Sequence, residues 1–386
     1  MIQKFIPFFI LLFTGSLCLA QPAGIQPNKN MLSEPVEFTG PTGFHLDTSK
    51  VHEIRIGLFA PAEDHPVGES MTRGVQLAVE QANAGGGYSG IPYKVVQRWS
   101  GNPWGDGAKD LINLAYRDSV LAIIGSIDGT TTHLAEQIAT KARIPLLAPV
   151  SSDPTLTYIR LPWIYQLPPE DELQVTEIIN ALQKASQPAR IGVISSVSHD
   201  CRVFTDELLP ALNKVNLNPL FFFELERNQN DYSSVMKRIS GFQPQQLIVD
   251  LKAEEFANFT HALNEHQLSI PLYAPWIPAL KSIKNGIDYP GDTFHIVPFA
   301  MNSPEYSQFK QDYFNQYHSE PDYAAAYSYD AARLIIESIE STKSLNRVHL
   351  QRQLSANRGF EGVTGSIKWD NGGGNSQSKP VLTSSH

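Results

Sequence analysis

Three short stretches concentrate the side chains able to bind or react. "SHDCR" (198–202) sets a histidine, a carboxylate and a thiol in succession. "GSIDGTTTHLA" (125–135) and "PVSSDPT" (149–155) each end an apolar run in hydroxyl, Gly and Asp residues. A cysteine beside a histidine at a helix start can be a nucleophile when its pKa is depressed. Adjacent residues on such a turn point in different directions, however, and no second His/Cys pair stands at metal-ligand spacing. Catalysis and metal binding therefore have little to rest on, and no metal or cofactor is expected. "GGGYSG" (85–90) follows a helix rather than a strand, so it is not a dinucleotide loop. Neither a G-x-S-x-G elbow nor an H-E-x-x-H pair occurs. The two hydroxyl-rich loops suit binding instead: small residues let backbone N–H groups approach an anion, and Ser and Thr add donors.

Strand-like and helix-like segments alternate around these loops. "EIRIGLFAP" begins the order, and "ESMTRGVQLAVEQANAGGG" sets Met71, Val75, Ala78 and Ala82 on one helical face that Gly85–Gly87 ends. "YKVVQRW", "LAIIG" and "PLLAP" read as strands separated by helices. After the Pro-rich "LPWIYQLPPEDE" a second series follows, with strands "ARIGVISS", "NPLFFFEL", "QQLIVDL" and "IPLYAP" between helices. From Asp292 come a further strand, three helical stretches within 304–356 and a closing strand and turn in "GSIKWDNGGG". This predicts an α/β protein of two doubly wound parallel-sheet domains. The near-repeat of "ARIPLLAP" in "LSIPLYAP" agrees with that duplication. In such sheets the carboxyl ends of strands face the ligand crevice. That rule makes Ser126, Asp128, Gly129, Thr130, Ser151 and Ser152 candidate ligand contacts.

The chain has 386 residues, too many for one ordinary core. With 42% hydrophobic and 18% charged residues it is globular, and a net charge of −9 argues against a nucleic-acid surface. Lys4, the apolar "FIPFFILLF" and "CLA" before Gln21 predict an export signal over 1–20, cleaved after about Ala20. Lipidation at Cys18 is the competing reading. Cleavage removes Cys18 and leaves Cys201 without an internal disulfide partner. Residues 21–53, rich in Pro, Gly, Asn and Ser, predict an extension or tether. A soluble, periplasmic, monomeric product is expected.

"IRIGLFAP", "GVQLAVEQANAGGG", "IIGSIDGTTT", "PLLAPVSSDPTLT", "NDYSSVMKRI", "SYDAARLIIESI" and "GVTGSIKWDNGG" occur in an order and spacing that resemble the type I periplasmic solute-binding proteins of the branched-chain amino-acid and amide group, from Ile54 to Asp370. The resemblance implies two lobes joined by a hinge, with 54–161 plus 299–386 in the first and 162–298 in the second. It implies capture of a small polar solute and hand-over to an inner-membrane ABC permease. The loops bearing Gly129–Thr130 and Ser151–Ser152 would grip the solute carboxylate. The second lobe departs from the pattern: Trp276 stands where relatives often have an acidic residue, Lys252 where a tyrosine is common, and Val67 where an aromatic caps the ligand. Trp276 either stacks on the solute or fills the core, and Lys252 either pairs with an anionic group or is solvated. Asp128, Asp200 and Asp250 are candidate partners for a positive group or helix caps. His199, Asp200, Asp250, Lys252 and Trp276 are the expected second-lobe contacts. A ligand sensor serving a membrane receptor is the alternative use of the same fold.

Overall fold

The structure, a computed structural model, describes residues 51–385 apart from 63–64, 102, 185–189, 228, 230, 281–288 and 358. The expected signal segment and nearly all of the 21–53 extension lie outside these residues. No helix among the described residues is long and apolar enough to cross a membrane.

The first lobe alternates strands and helices: β1 (Ile54–Phe59), α1 (Pro66–Ala84), β2 (Tyr93–Arg98), α2 (Ala108–Ile112), β3 (Ile123–Gly125), α3 (Gly129–Ala142), β4 (Leu146–Ala148), α4 (Thr155–Tyr158) and β5 (Ile164–Gln166). Its sheet is parallel, in the order β2-β1-β3-β4-β5. Both faces of β1 and β3 are covered, which is why these strands read as unbroken apolar runs. The second lobe contains α5 (Asp171–Lys184), β6 (Ile191–Ser196), α6 (His199–Lys214), β7 (Phe221–Leu225), α7 (Ser233–Phe242), β8 (Gln246–Asp250), α8 (Ala253–Glu265), β9 (Leu272–Ala274) and β10 (Thr293–Val297). The chain then forms α9 (Pro304–Tyr317), α10 (Tyr323–Thr342), α11 (Arg347–Ser355), the hairpin β11 (Phe360–Gly362) and β12 (Gly365–Ile367), and β13 (Val381–Ser385). The second sheet runs β13-β10-β9-β8-β6-β7, parallel except for β13.

Two strands cross the boundaries drawn from the sequence. β5 was expected in the second lobe but pairs with β4 in the first sheet. β13, expected with the first lobe, pairs antiparallel with β10 of the second. The chain thus passes between lobes three times, near 167–170, 298–303 and 370–380. Two of the crossings are joined to each other: Gln166 N donates to Gly373 O (2.9 Å), Asn375 N to Gln166 O (3.1 Å) and Asn375 Nδ2 to Leu167 O (3.3 Å).

Helix α10 returns to the first lobe and packs on α1 through an alanine-rich face, with Ala324, Ala325, Ala326, Ala331 and Ala332 all buried. The helices approach so closely that a Cβ on Gly74 would lie 2.2 Å from the carbonyl oxygen of Ala325. Arg347 is 2% exposed and ties α11 to the first lobe, donating to the carbonyls of Val120 (2.9 Å) and Ala115 (2.6 Å).

In each sheet the strand order reverses at one point, between β1 and β3 and between β6 and β8. Side chains at these switch points face a shared crevice. The loops after β3 and β4 form one lip, and the starts of α6 and α8 form the other.

Candidate functional site

Each lip is built from capped helix starts. Asp128, extended at the N-cap of α3, accepts from Thr131 N (2.8 Å) and Thr131 Oγ1 (2.6 Å). Thr132 Oγ1 donates to the Asp128 carbonyl (2.6 Å) and accepts from Ser126 N (3.1 Å). Opposite, Ser198 caps α6 by accepting from Cys201 N (3.4 Å), while Lys252 caps α8 and donates its N–H to Glu255 (3.3 Å).

Between the lips lies a cleft of about 550 Å³, lined by Asp128, Ser151 and Ser152 from the first lobe and by Asp200, Asp250, Lys252 and Trp276 from the second. Seven of the eleven expected contacts therefore line one space. The other four lie outside its walls. Ser126 is fully buried beneath the loop, and Thr130 is half-buried. Gly129 N donates across the gap to Asp200 Oδ1 (2.9 Å), and His199 is turned to Asp153 (2.7 Å). The N–H expected to hold a solute carboxylate thus holds a carboxylate of the protein itself. A Cβ at position 129 would meet Asp200 Oδ1 at 2.4 Å and Asp153 Oδ2 at 2.8 Å, so only glycine permits this approach.

Trp276 is packed into the core and also borders the cleft. Its N–H donates to Gln174 Oε1 (2.8 Å), and its ring packs against Tyr323 and Tyr327 of α10 at 6.4 and 6.1 Å while lining the cleft. Lys252 Nζ reaches across to Asp128 Oδ2 (3.6 Å), with its side chain half-exposed. Burial pulls the Lys252 ammonium down, but Asp128 and Asp200 more than offset this and hold it above its ordinary value.

Sequence reasoning did not single out Asp171, Phe204, Tyr232 or His65, which complete the walls. Asp171 reads as an ordinary first-turn acid of α5, yet it is 4% exposed and burial pushes its carboxyl far up. Burial lowers His65, so that imidazole stays neutral more readily. Asp200 is raised to about 6 by burial and by Asp128. Asp250, 7% exposed, is raised to about 7, mainly by burial, with Asp200 and Glu255 adding to the shift and the Cys201 thiol opposing it. Its Oδ2 is buried without a hydrogen-bond partner. A carboxylate in that state needs a donor or a positive charge.

Cys201 is 3% exposed and burial pushes its thiol far up, against hydrogen bonds from Ser198 and Ser196. A thiol held protonated is a poor nucleophile. Deeper in the lips, Asp153 accepts from both His133 and His199; these bonds overcome burial and hold its carboxyl below the ordinary range. Burial opposes the charge on His133, but Asp153 and Glu136 prevail and raise it to about 10.

A larger open groove of about 1440 Å³ lies between α1 and α9. Its charged groups are satisfied locally, by the ion pairs Arg73–Glu69 and Lys310–Glu320 and by the bond from Ser70 to Asp322. The inter-lobe cleft, with its unpaired Asp250 oxygen, is the candidate site.

The profile of the family described as periplasmic binding protein matches residues 53–381. A "Leu/Ile/Val-binding protein homolog 2" of Brucella abortus is 21% identical over 349 residues, covering 86% of this chain and 90% of that protein. An "amino acid binding protein" of Pseudomonas aeruginosa is 22% identical over 196 residues, and the match spans about half of each chain. Among solved structures, the branched-chain amino acid transporter substrate binding protein LivJ from Streptococcus pneumoniae, in complex with isoleucine, superposes with a TM-score of 0.74 at 19% identity, covering 86% of this chain and all of that one. A solute binding protein from R. palustris in complex with benzoate gives 0.73 at 16% identity, covering 86% and 92%.

Proposed function

The chain belongs to the periplasmic binding protein family of solute-binding proteins, and from that premise we propose that it captures a small solute bearing both a carboxylate and a protonated amine and delivers it to an inner-membrane ABC importer. The observation that carries this reading is Asp250: a buried carboxylate at a strand end, with one oxygen unpartnered, on the wall of a cleft between lobes. An ammonium group satisfies that oxygen and holds the carboxyl ionised. Across the cleft, the hydroxyls of Ser151 and Ser152 receive the solute carboxylate, and the Lys252 ammonium, on the same lobe as Asp250, reaches over to meet it. Trp276, Phe204 and Tyr232 enclose its apolar body. Asp171, whose carboxyl burial pushes far up, completes the wall beside Ser152. The relatives named for amino acids, and the benzoate and isoleucine complexes, support a small carboxylate as cargo. The mature protein acts in the periplasm as a monomer, released by cleavage after about Ala20.

Native mass spectrometry of the purified protein, with release and identification of what co-purifies, tests the proposal. A stoichiometric amino-carboxylate whose affinity falls about tenfold or more in Asp250→Asn, a loss of about 1.4 kcal/mol, is the expected result. A solute without a basic nitrogen, or one bound equally well by Asp250→Asn, would overturn it.

A further inference from the structure

Two imidazoles from opposite lobes converge on one buried carboxylate oxygen. His133, on the second turn of α3, and His199, the first residue of α6, place Nε2 at 3.1 and 2.7 Å from Oδ2 of Asp153, in the loop after β4. Their ligand atoms all lie within 4.8 Å of one another. An imidazole nitrogen and a carboxylate oxygen both carry lone pairs, so something positive must separate them at these distances. Two ring N–H protons do so when each imidazole donates from Nε2, and they then crowd two donors in edge contact, 5.6 Å between centroids, around a carboxylate that is 2% exposed. One dication would take the place of both protons at the shared oxygen.

The surroundings favour the dication. Behind His133, Nδ1 lies 2.8 Å from Glu136 Oε2, so an N–H kept there lets an ion that displaces the Nε2 proton meet a lone pair on the side facing Asp153. A carboxylate behind a ring nitrogen is the usual outer support of a metal-binding histidine. Thr155 Oγ1, 2.8 Å from His133 Nε2, adds an oxygen at the edge of the cluster. The side chains of His133 and His199 are 26% and 40% exposed, which leaves a route for an ion and a water ligand. Two nitrogens and one oxygen suit zinc and its neighbours, whereas calcium and magnesium prefer oxygen alone.

We propose that His133, Asp153 and His199 form a three-ligand site for a divalent transition-metal ion of the zinc class, open at a fourth position to water, and that the ion bridges the two lobes in the closed form. His133 and Asp153 belong to the first lobe and His199 to the second, so occupancy and closure are linked reciprocally. The site does not depend on the identity of the solute. Sequence spacing gave no sign of it, because the three ligands come from α3, the loop after β4 and α6, far apart in the chain.

Titrating the untagged, chelator-treated protein with zinc chloride in a calorimeter, with cobalt chloride as an optical probe and small-angle scattering as a measure of closure, tests the site. One zinc per chain, ligand-field bands of tetrahedral cobalt and a reduced radius of gyration are expected. His199→Ala and His133→Gln should each abolish all three, with circular dichroism showing that both variants fold. Glu136→Gln should weaken zinc binding about 10- to 100-fold. His261→Ala, which alters a surface pair with Glu265 on α8, should change nothing. No stoichiometric uptake by the unaltered protein, uptake that survives both ligand substitutions, or loss in His261→Ala would each overturn the proposal.

Discussion

Replacing Asp250 with asparagine should stabilise the solute-free protein by about 4 kcal/mol at pH 8 but by only about 1.5 kcal/mol at pH 5. The carboxyl is raised to about 7 by burial first, then by Asp200 on α6 and Glu255 on α8, with the Cys201 thiol opposing. In the unfolded chain an aspartate titrates near its ordinary value of about 3.9. Between those limits the folded state binds a proton that the unfolded state does not, so unfolding free energy falls as pH rises from about 4 to about 7 and then levels. Roughly three pH units at about 1.4 kcal/mol each give a cost on the order of 4 kcal/mol, fully expressed above pH 7. Asparagine keeps the shape and cannot ionise, so the difference between the two proteins isolates this one group from Asp171 and Asp200. Urea unfolding of both at half-unit steps from pH 5 to pH 8, followed by circular dichroism, measures it. A stability difference that grows with pH to a few kcal/mol is expected. A flat difference, or a variant less stable at pH 8, would refute the reasoning.

Gly129→Ala places a Cβ against the carboxylates of Asp200 and Asp153; solute affinity should fall about tenfold or more, and the radius of gyration from scattering should rise. Lys252→Ala removes a half-exposed cation, so affinity should fall by no more than about 1 kcal/mol, and calorimetry should find the loss smaller at high salt. Arg347→Met strips the carbonyls of Val120 and Ala115 of their buried donor and should destabilise the protein by about 2–4 kcal/mol in thermal unfolding.

Strand–helix alternation was legible because strands covered on both faces are apolar throughout and their helices carry one apolar stripe. β5 was hidden by the prolines around it, and β13 by the Gly-rich turn before it; three or five residues without alternation carry little signal. Strand ends drew attention to Asp128, Ser151, Ser152, Asp250 and Trp276, since topology decides which tips meet. Partnerships across the gap were beyond reach. Gly129 with Asp200, and Asp153 with His199, depend on how two separately folded lips face each other. His133 beside Glu136 has the spacing of a common surface pair on a helix, and Asp171 has the place of a common first-turn acid. Burial sets both apart, and burial is not written in local spacing.

The hydrogen bonds that join 166–167 to 373–375 make two of the three crossings a paired ribbon rather than independent threads. A ribbon bends across its width far more readily than it twists about its length. Any movement of one lobe against the other must therefore carry these two crossings together. Contacts as exacting as a backbone amide meeting a carboxylate from the far side depend on that mechanical guidance as much as on the residues that make them.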